Sequence, residues 1–174
     1  MTLEHPTGGD LPTSLLARMR TLTELAEGDH FPSHTPNCLG CGPDNPHGYQ
    51  LEVRRSGEGV EAEHVFQDRH TGAPGIAHGG AVATVFDDLF GFLLYLVGEI
   101  GVTRNLSVDY RAPVLLNTPH HLRADLTERE GRKLYVQAEM ADQTGRIVAT
   151  ATATFIIVSA DHFTNAAGPT WSSA

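Results

Sequence analysis

The 174 residues, 40% of them hydrophobic, suffice for one domain around a single sizeable core. A formal net charge of -9 excludes a general nucleic-acid binder, which needs a basic field, but leaves room for a small basic pocket that takes a phosphorylated ligand. No cationic start followed by an apolar segment reads as a signal peptide, so a cytoplasmic protein is expected, and there a disulfide between Cys38 and Cys41 is not.

In chain order, residues 1–10 read as a tail. Leu15, Met19, Leu22 and Leu25 then fall near helical spacing, which predicts an amphipathic helix over Leu11 to Glu27 with Gly28 as its stop. Residues 28–48, rich in Pro, Gly, His and Asn, read as loop. Tyr49, Leu51 and Val53 alternate with polar residues, and so do Val60, Ala62, His64 and Phe66 beyond a turn at Ser56–Gly59, which predicts two strands. Residues 68–77 read as loop. A long apolar helix is predicted over about Gly79 to Val97, closed by Gly98. It is near the lower length limit of a membrane span, but its two carboxylates and interior glycines make it a core helix, and no membrane partner is expected. Four further strands follow: Val102 to Tyr110, Leu122 to Leu126, Leu134 to Met140 and Ile147 to Val158. The last sixteen residues read as a tail. Six antiparallel strands and one helix that is apolar all round make an α+β plan, a curved sheet wrapped round the helix.

The stretch "GIAHGGAVATVFDDLF" sets adjacent carboxylates, Asp87 and Asp88, in the apolar run. A buried carboxylate costs several kcal/mol unless it is paired, so at least one has a task. His78 and Asp87 are nine residues apart, about 13 Å along a helix and on opposite faces. They can serve one site only if the second comes from another chain, as in a two-fold dimer of antiparallel helices. The N–H groups of Gly79 and Gly80 would lie unsatisfied at the helix start, a place for a developing oxyanion. The plain alternative makes His78 a capping residue and the Asp pair a solvated notch; spacing alone does not separate the two.

The stretches "AHGGAVATVFDDLFG", "GVTRNLSVDYRAPV" and "CLGCGPDNPHGYQL" resemble hotdog-fold acyl-coenzyme A thioesterases, especially the phenylacetate-pathway type and the mammalian thioesterase-superfamily proteins. The resemblance covers roughly residues 37–158, leaving 1–36 as an N-terminal tail, helix and loop and 159–174 as a tail. It implies an oxyanion-hole N–H at Gly79 and a His at position 78 that contacts or positions the thioester carbonyl. It also implies that Asp87, not Asp88, is the catalytic carboxylate and that Thr103 places the water or the carboxylate. The other hotdog branch has a Gln six residues before the His; here that position is Gly72. The substrate would be an acyl-CoA, with no cofactor beyond the coenzyme A it carries, and the assembly a homodimer or dimer of dimers.

Asp88 reads as structural, the partner of a nearby Arg. Asn105 is expected on the same strand face as Thr103, away from Val102 and Leu106. Candidate contacts to substrate are Gly80, Asn45 and Asn105, with Arg104, Arg111, Arg132 and Lys133 as cations for coenzyme A phosphates. Cys38-x-x-Cys41 with His34 and His47 has the spacing H-x3-C-x2-C-x5-H, which four zinc ligands could share. A lone CxxC is a weak signal and the resembling family is not known for metals. The segment therefore reads as a turn set by Gly40, Gly42, Asn45, Pro46 and Gly48, with no metal. Two other readings stay open: a hotdog enoyl-CoA hydratase, although the Asp44, Asn45, Pro46 and His47 spacing fails that motif, and an acyl-CoA-binding module without catalysis.

Overall fold

The computed structural model describes residues 21–159 and 162. The apolar run becomes one helix, Gly79–Val97, called the central helix below. His78 caps its start and Gly98, at φ +67°, closes it in the left-handed conformation that glycine adopts without strain. Val85, Phe86, Leu89 and Phe90 have no exposed surface. Each such burial stabilises by about 1.5–3 kcal/mol, which is why a helix long and apolar enough to span a membrane sits here as a core element.

The core around it comes from one six-stranded antiparallel sheet, in the order β1 (Val53–Ser56), β2 (Gly59–Val65), β6 (Pro119–Glu130), β7 (Lys133–Ala141), β8 (Ile147–Ile157), β5 (Gly101–Tyr110). Alternation sets the faces. Leu122 and Ala124, then Leu134, Val136, Ala138 and Met140, then Ala149, Ala151, Ala153 and Phe155 are buried. Alanines on β8 leave room for the helix with its phenylalanines. This is the expected hotdog architecture.

Three local expectations change. The first strand starts at Val53, not Tyr49, because Gln50 takes φ +51° and breaks the extended run. Residues 68–77 are not plain loop: a 3-10 turn (Asp68–His70) leads into a small hairpin of β3 (Thr71–Ala73) and β4 (Ile76–Ala77) around Gly75. Of the helix expected over Leu11 to Glu27, residues up to 20 lie outside the described residues; Thr21 and Leu22 are helical, and the chain turns from Thr23 onward. Most of the C-terminal tail also lies outside them.

The sheet's two edges differ. Residues 28–31 run along β1, with Gly28 N–H donating to Arg55, Arg55 N–H to Asp29 and Phe31 N–H to Val53. Among the described residues nothing pairs with the outer edge of β5, ten residues long. An edge of that length is a template for another strand.

Three histidines are buried in the sheet-end packing: His64, His70 and His120, with Tyr49 and Phe66 between them. Burial, then the charges of its neighbours His70, His120 and Arg69, pushes His64 from 6.5 down to about 4. Burial also lowers His70 and His120. Between pH 6.5 and 4 the unfolded chain therefore binds more protons than the folded one, and stability is lost as pH falls through that window. The His64 contribution amounts to about 3 kcal/mol. Urea midpoints should drop steadily from pH 7 to pH 4.5, and His64→Leu should flatten the slope; a wild-type midpoint unchanged across that range would refute the assignment.

Candidate active site

At the helix start, His78 is exposed with extended backbone, and its Nδ1 accepts from the Gly80 N–H at 2.9 Å. In a neutral ring an accepting Nδ1 leaves the proton on Nε2, a donor aimed away from the cap. The Ala81 and Val82 N–H groups donate to the His78 carbonyl. The Gly79 N–H has no acceptor among the described residues. The expectation of two free glycine donors is thus corrected: Gly80 is consumed by the cap, and the pair left at the helix N-terminus is Gly79 N–H and His78 Nε2–H.

Sequence reasoning missed Tyr110. Its hydroxyl donates to the Gly79 carbonyl at 2.7 Å, and a Cβ on Gly79 would stand 3.3 Å from the phenol, so the ring fixes this peptide and keeps residue 79 small. Burial pushes the Tyr110 phenol up, which keeps it a donor at neutral pH. The signal available in sequence was the apolar-polar alternation of β5, which points Tyr110 inward but names no partner. A groove of about 500 Å³ passes Gly79, walled by Ile76, Val82, Tyr110 and Pro113, with Arg111 among its lining residues. Arg111 itself pairs with Asp109 at 3.3 Å.

About 12 Å further along the helix, Asp87 is half-buried, and the Thr103 hydroxyl donates to its Oδ1 at 2.9 Å. That bond holds one carboxylate oxygen. Thr103 reaches the helix because β5 carries a bulge: Thr103 pairs with Phe155 and Asn105 with Thr154, leaving Arg104 as the extra residue. Thr103 therefore shares the core face with Phe155 and Leu106, whereas Asn105 is on the outer face with Thr154. The expectation that Asn105 shares Thr103's face fails because a bulge breaks the two-residue alternation.

The remaining predicted contacts are scattered. Asn45 spends its side chain inside its own loop, donating to the Asn37 carbonyl and accepting from the His47 N–H. Lys133 sits opposite Ile156 on β8 and Tyr110 opposite Ala149, about 23 Å apart along the strand. Within one chain Arg132 and Lys133 are thus at the far end from Gly79, and Lys133 pairs with Glu130 at 3.1 Å.

Asp88, a third of a turn round from Asp87, faces the 34–41 loop. Its Oδ1 lies 3.2 Å from both His34 Nδ1 and Cys38 Sγ. Burial works to lower His34, but hydrogen bonds with Asp88, Cys38 and Cys41 outweigh it and hold the ring far above its ordinary range. The bond with His34 lowers Cys38, while burial pushes Cys41 up. His47, the fourth ligand that the H-x3-C-x2-C-x5-H spacing offered, is exposed and apart, and Asp88 lies with the other three instead of the Arg expected for it.

Residues 74–149 match the family model of the thioesterase superfamily. Among curated proteins, the rat acyl-coenzyme A thioesterase THEM4 is 37% identical over 91 residues, 52% of this chain and 39% of that one. The chain spans well under half the length of the curated relatives it matches. A crystal structure of a thioesterase superfamily protein superposes with a TM-score of 0.66 at 21% identity, covering 88% of this chain and 81% of that one. A hypothetical thioesterase from Streptococcus pneumoniae, solved with coenzyme A, gives 0.59 at 23% identity over 63% of this chain and 86% of that one. The matched segment holds His78, Gly79, Asp87, Thr103 and Tyr110, and the six-stranded sheet round one helix gives the chain the hotdog fold of these thioesterase structures.

Proposed function

We propose that the chain is an acyl-CoA thioesterase whose site is shared between two copies. The observation that carries this reading is the Thr103–Asp87 bond, on a face of the central helix that the described residues leave partly open. Gly80, Ala83, Thr84 and Asp87 form a stripe of small and polar residues at helical spacing, Gly80 exposed and the other three half-buried. Beside it runs the open edge of β5. A two-fold partner would pair the edges and lay its helix antiparallel on the stripe. Crossing near Ala83, that geometry sets Asp87 of one copy beside Gly79 of the other. Relatives named acyl-coenzyme A thioesterase and a relative's structure with coenzyme A support the substrate class.

In this reading the Gly79 N–H and the His78 Nε2–H bind the thioester oxygen, and their interaction strengthens as it becomes an oxyanion. Asp87 uses the oxygen that Thr103 leaves free. It either attacks the carbonyl carbon to form an anhydride that water then opens, or takes a proton from the attacking water. Coenzyme A departs as its thiolate and is protonated. The groove past Gly79 would carry one arm of the substrate, with Arg111 near phosphate.

Free-thiol release from a panel of short, long and aromatic acyl-CoAs tests the reading. Asp87→Asn should lower turnover by about a hundredfold or more, with the dimer and its melting temperature intact. No hydrolysis of any acyl-CoA by folded wild-type protein would sink the assignment.

The two tasks of His78 can be separated. His78→Ala removes the cap bond and should cost about 1 kcal/mol of stability. His78→Asn keeps a capping oxygen, but its shorter amide places no donor where Nε2 stands, so it should fold like wild type and still lose turnover at least about tenfold. Full activity in His78→Asn would confine His78 to capping.

A further inference from the structure

The group formed by His34, Cys38, Cys41 and Asp88 has no part in the chemistry above. Its four ligand atoms all lie within 4.8 Å of one another. Three of the separations are 3.2 Å: His34 Nδ1 to Asp88 Oδ1, Cys38 Sγ to Asp88 Oδ1, and Cys41 Sγ to His34 Nδ1. Around a tetrahedral zinc, bonds of about 2.0–2.3 Å set ligand atoms about 3.3–3.8 Å apart, so small adjustments would suit a metal.

The group is poorly satisfied by itself. One ring nitrogen of His34 is shared between a carboxylate oxygen and a sulfur, and it can offer only one proton. The Asp88 side chain is 8% exposed, and its Oδ2 is buried with no hydrogen-bond partner. The surroundings are shaped for these side chains. A Cβ on Gly40 would collide with the Asp88 carboxylate, and one on Gly91 would come within 2.9 Å of the His34 ring. The turn is held by the Gly42 N–H on the Cys38 carbonyl and the Cys38 N–H on the Thr35 carbonyl. The His34 N–H donates to Cys41 Sγ at 3.2 Å, the kind of outer bond that orients a thiolate ligand.

We propose that His34 Nδ1, Cys38 Sγ, Cys41 Sγ and one oxygen of Asp88 bind a zinc ion that fastens the 34–41 loop to the central helix. Two sulfurs and an imidazole favour zinc over the hard cations magnesium and calcium. Four protein ligands close the coordination shell, so the site is structural. Its anchor on the helix is the neighbour of Asp87, which couples loop order to the position of the catalytic carboxylate. Binding displaces the thiol protons, and affinity should weaken in acid.

The full chain, expressed with zinc in the medium and purified without chelator, should hold one zinc per chain by elemental analysis. Cys38→Ser/Cys41→Ser and Asp88→Asn should lose at least about nine-tenths of it, while His47→Ala keeps it. Cobalt added to chelator-treated wild type should give sulfur-to-metal charge-transfer bands that the double variant lacks. Wild type suffices if the variants do not fold, since both thiols should resist a thiol reagent until chelator is added. Thiols that react freely without chelator, folded protein that takes up neither zinc nor cobalt, or a Cys38–Cys41 disulfide found by mass would each overturn the proposal.

Discussion

A carboxylate on a helix that is otherwise enclosed must be given a partner, and two adjacent ones must be given different partners. Asp87 and Asp88 stand 100° apart on the central helix. Every residue around them, from Val85 and Phe86 to Leu89 and Phe90, is sealed in the core. Asp87 points to the bulge of β5 and is held by Thr103; Asp88 points to the 34–41 loop and is held by His34 and Cys38. One polar notch in an apolar helix thus fixes two things at once: the last strand the helix meets and the loop that precedes the sheet.

The helix start is governed by a second shortage, of hydrogen-bond acceptors. The first turn of any helix leaves N–H groups without intrahelical partners. His78 supplies its own carbonyl to Ala81 and Val82 and its ring to Gly80. Tyr110 clamps the Gly79 carbonyl from the other side. What survives is a single oriented backbone donor, and a glycine there because a phenol ring occupies the space a side chain would need.

Most of the fold was legible in the sequence. The helix bounds, its glycine stop and the β5–β8 strand positions follow from periodicity and turn residues, because each is a local property. The resemblance carried by the HGG-to-Asp spacing and the Thr after the helix pointed to Asp87, Thr103 and Gly79, and the arithmetic of helical turn set His78 and Asp87 on opposite faces, too far apart to meet in one chain. What stayed hidden depends on distance in sequence or on one inserted residue. Asp88 joins Cys38 across fifty positions. No spacing rule carries that: the sequence could offer only His47, near at hand, as a fourth member, and the segment therefore read as a plain turn. Arg104 looks like any strand residue, yet as a bulge it turns Asn105 away from Thr103. The glycine N–H groups looked equivalent until the histidine ring was placed on one of them.

The unequal sheet edges bear on why the proposed site would need two chains. The β1 edge is closed by residues 28–31, through backbone bonds that any sequence could make. Among the described residues the β5 edge is left open along ten residues, next to a helix stripe of exposed Gly80 and half-buried Ala83, Thr84 and Asp87 that is too small and too polar to be a core. A carboxylate and an oxyanion donor separated by about 12 Å on one helix serve one thioester only if a symmetry operation brings them together. In the proposed dimer a two-fold axis at the stripe would do so twice, and the same operation would pair the open edge. Edge pairing and assembly of the site would then be one event, and the carboxylate proposed as catalytic would be desolvated only in the assembled dimer.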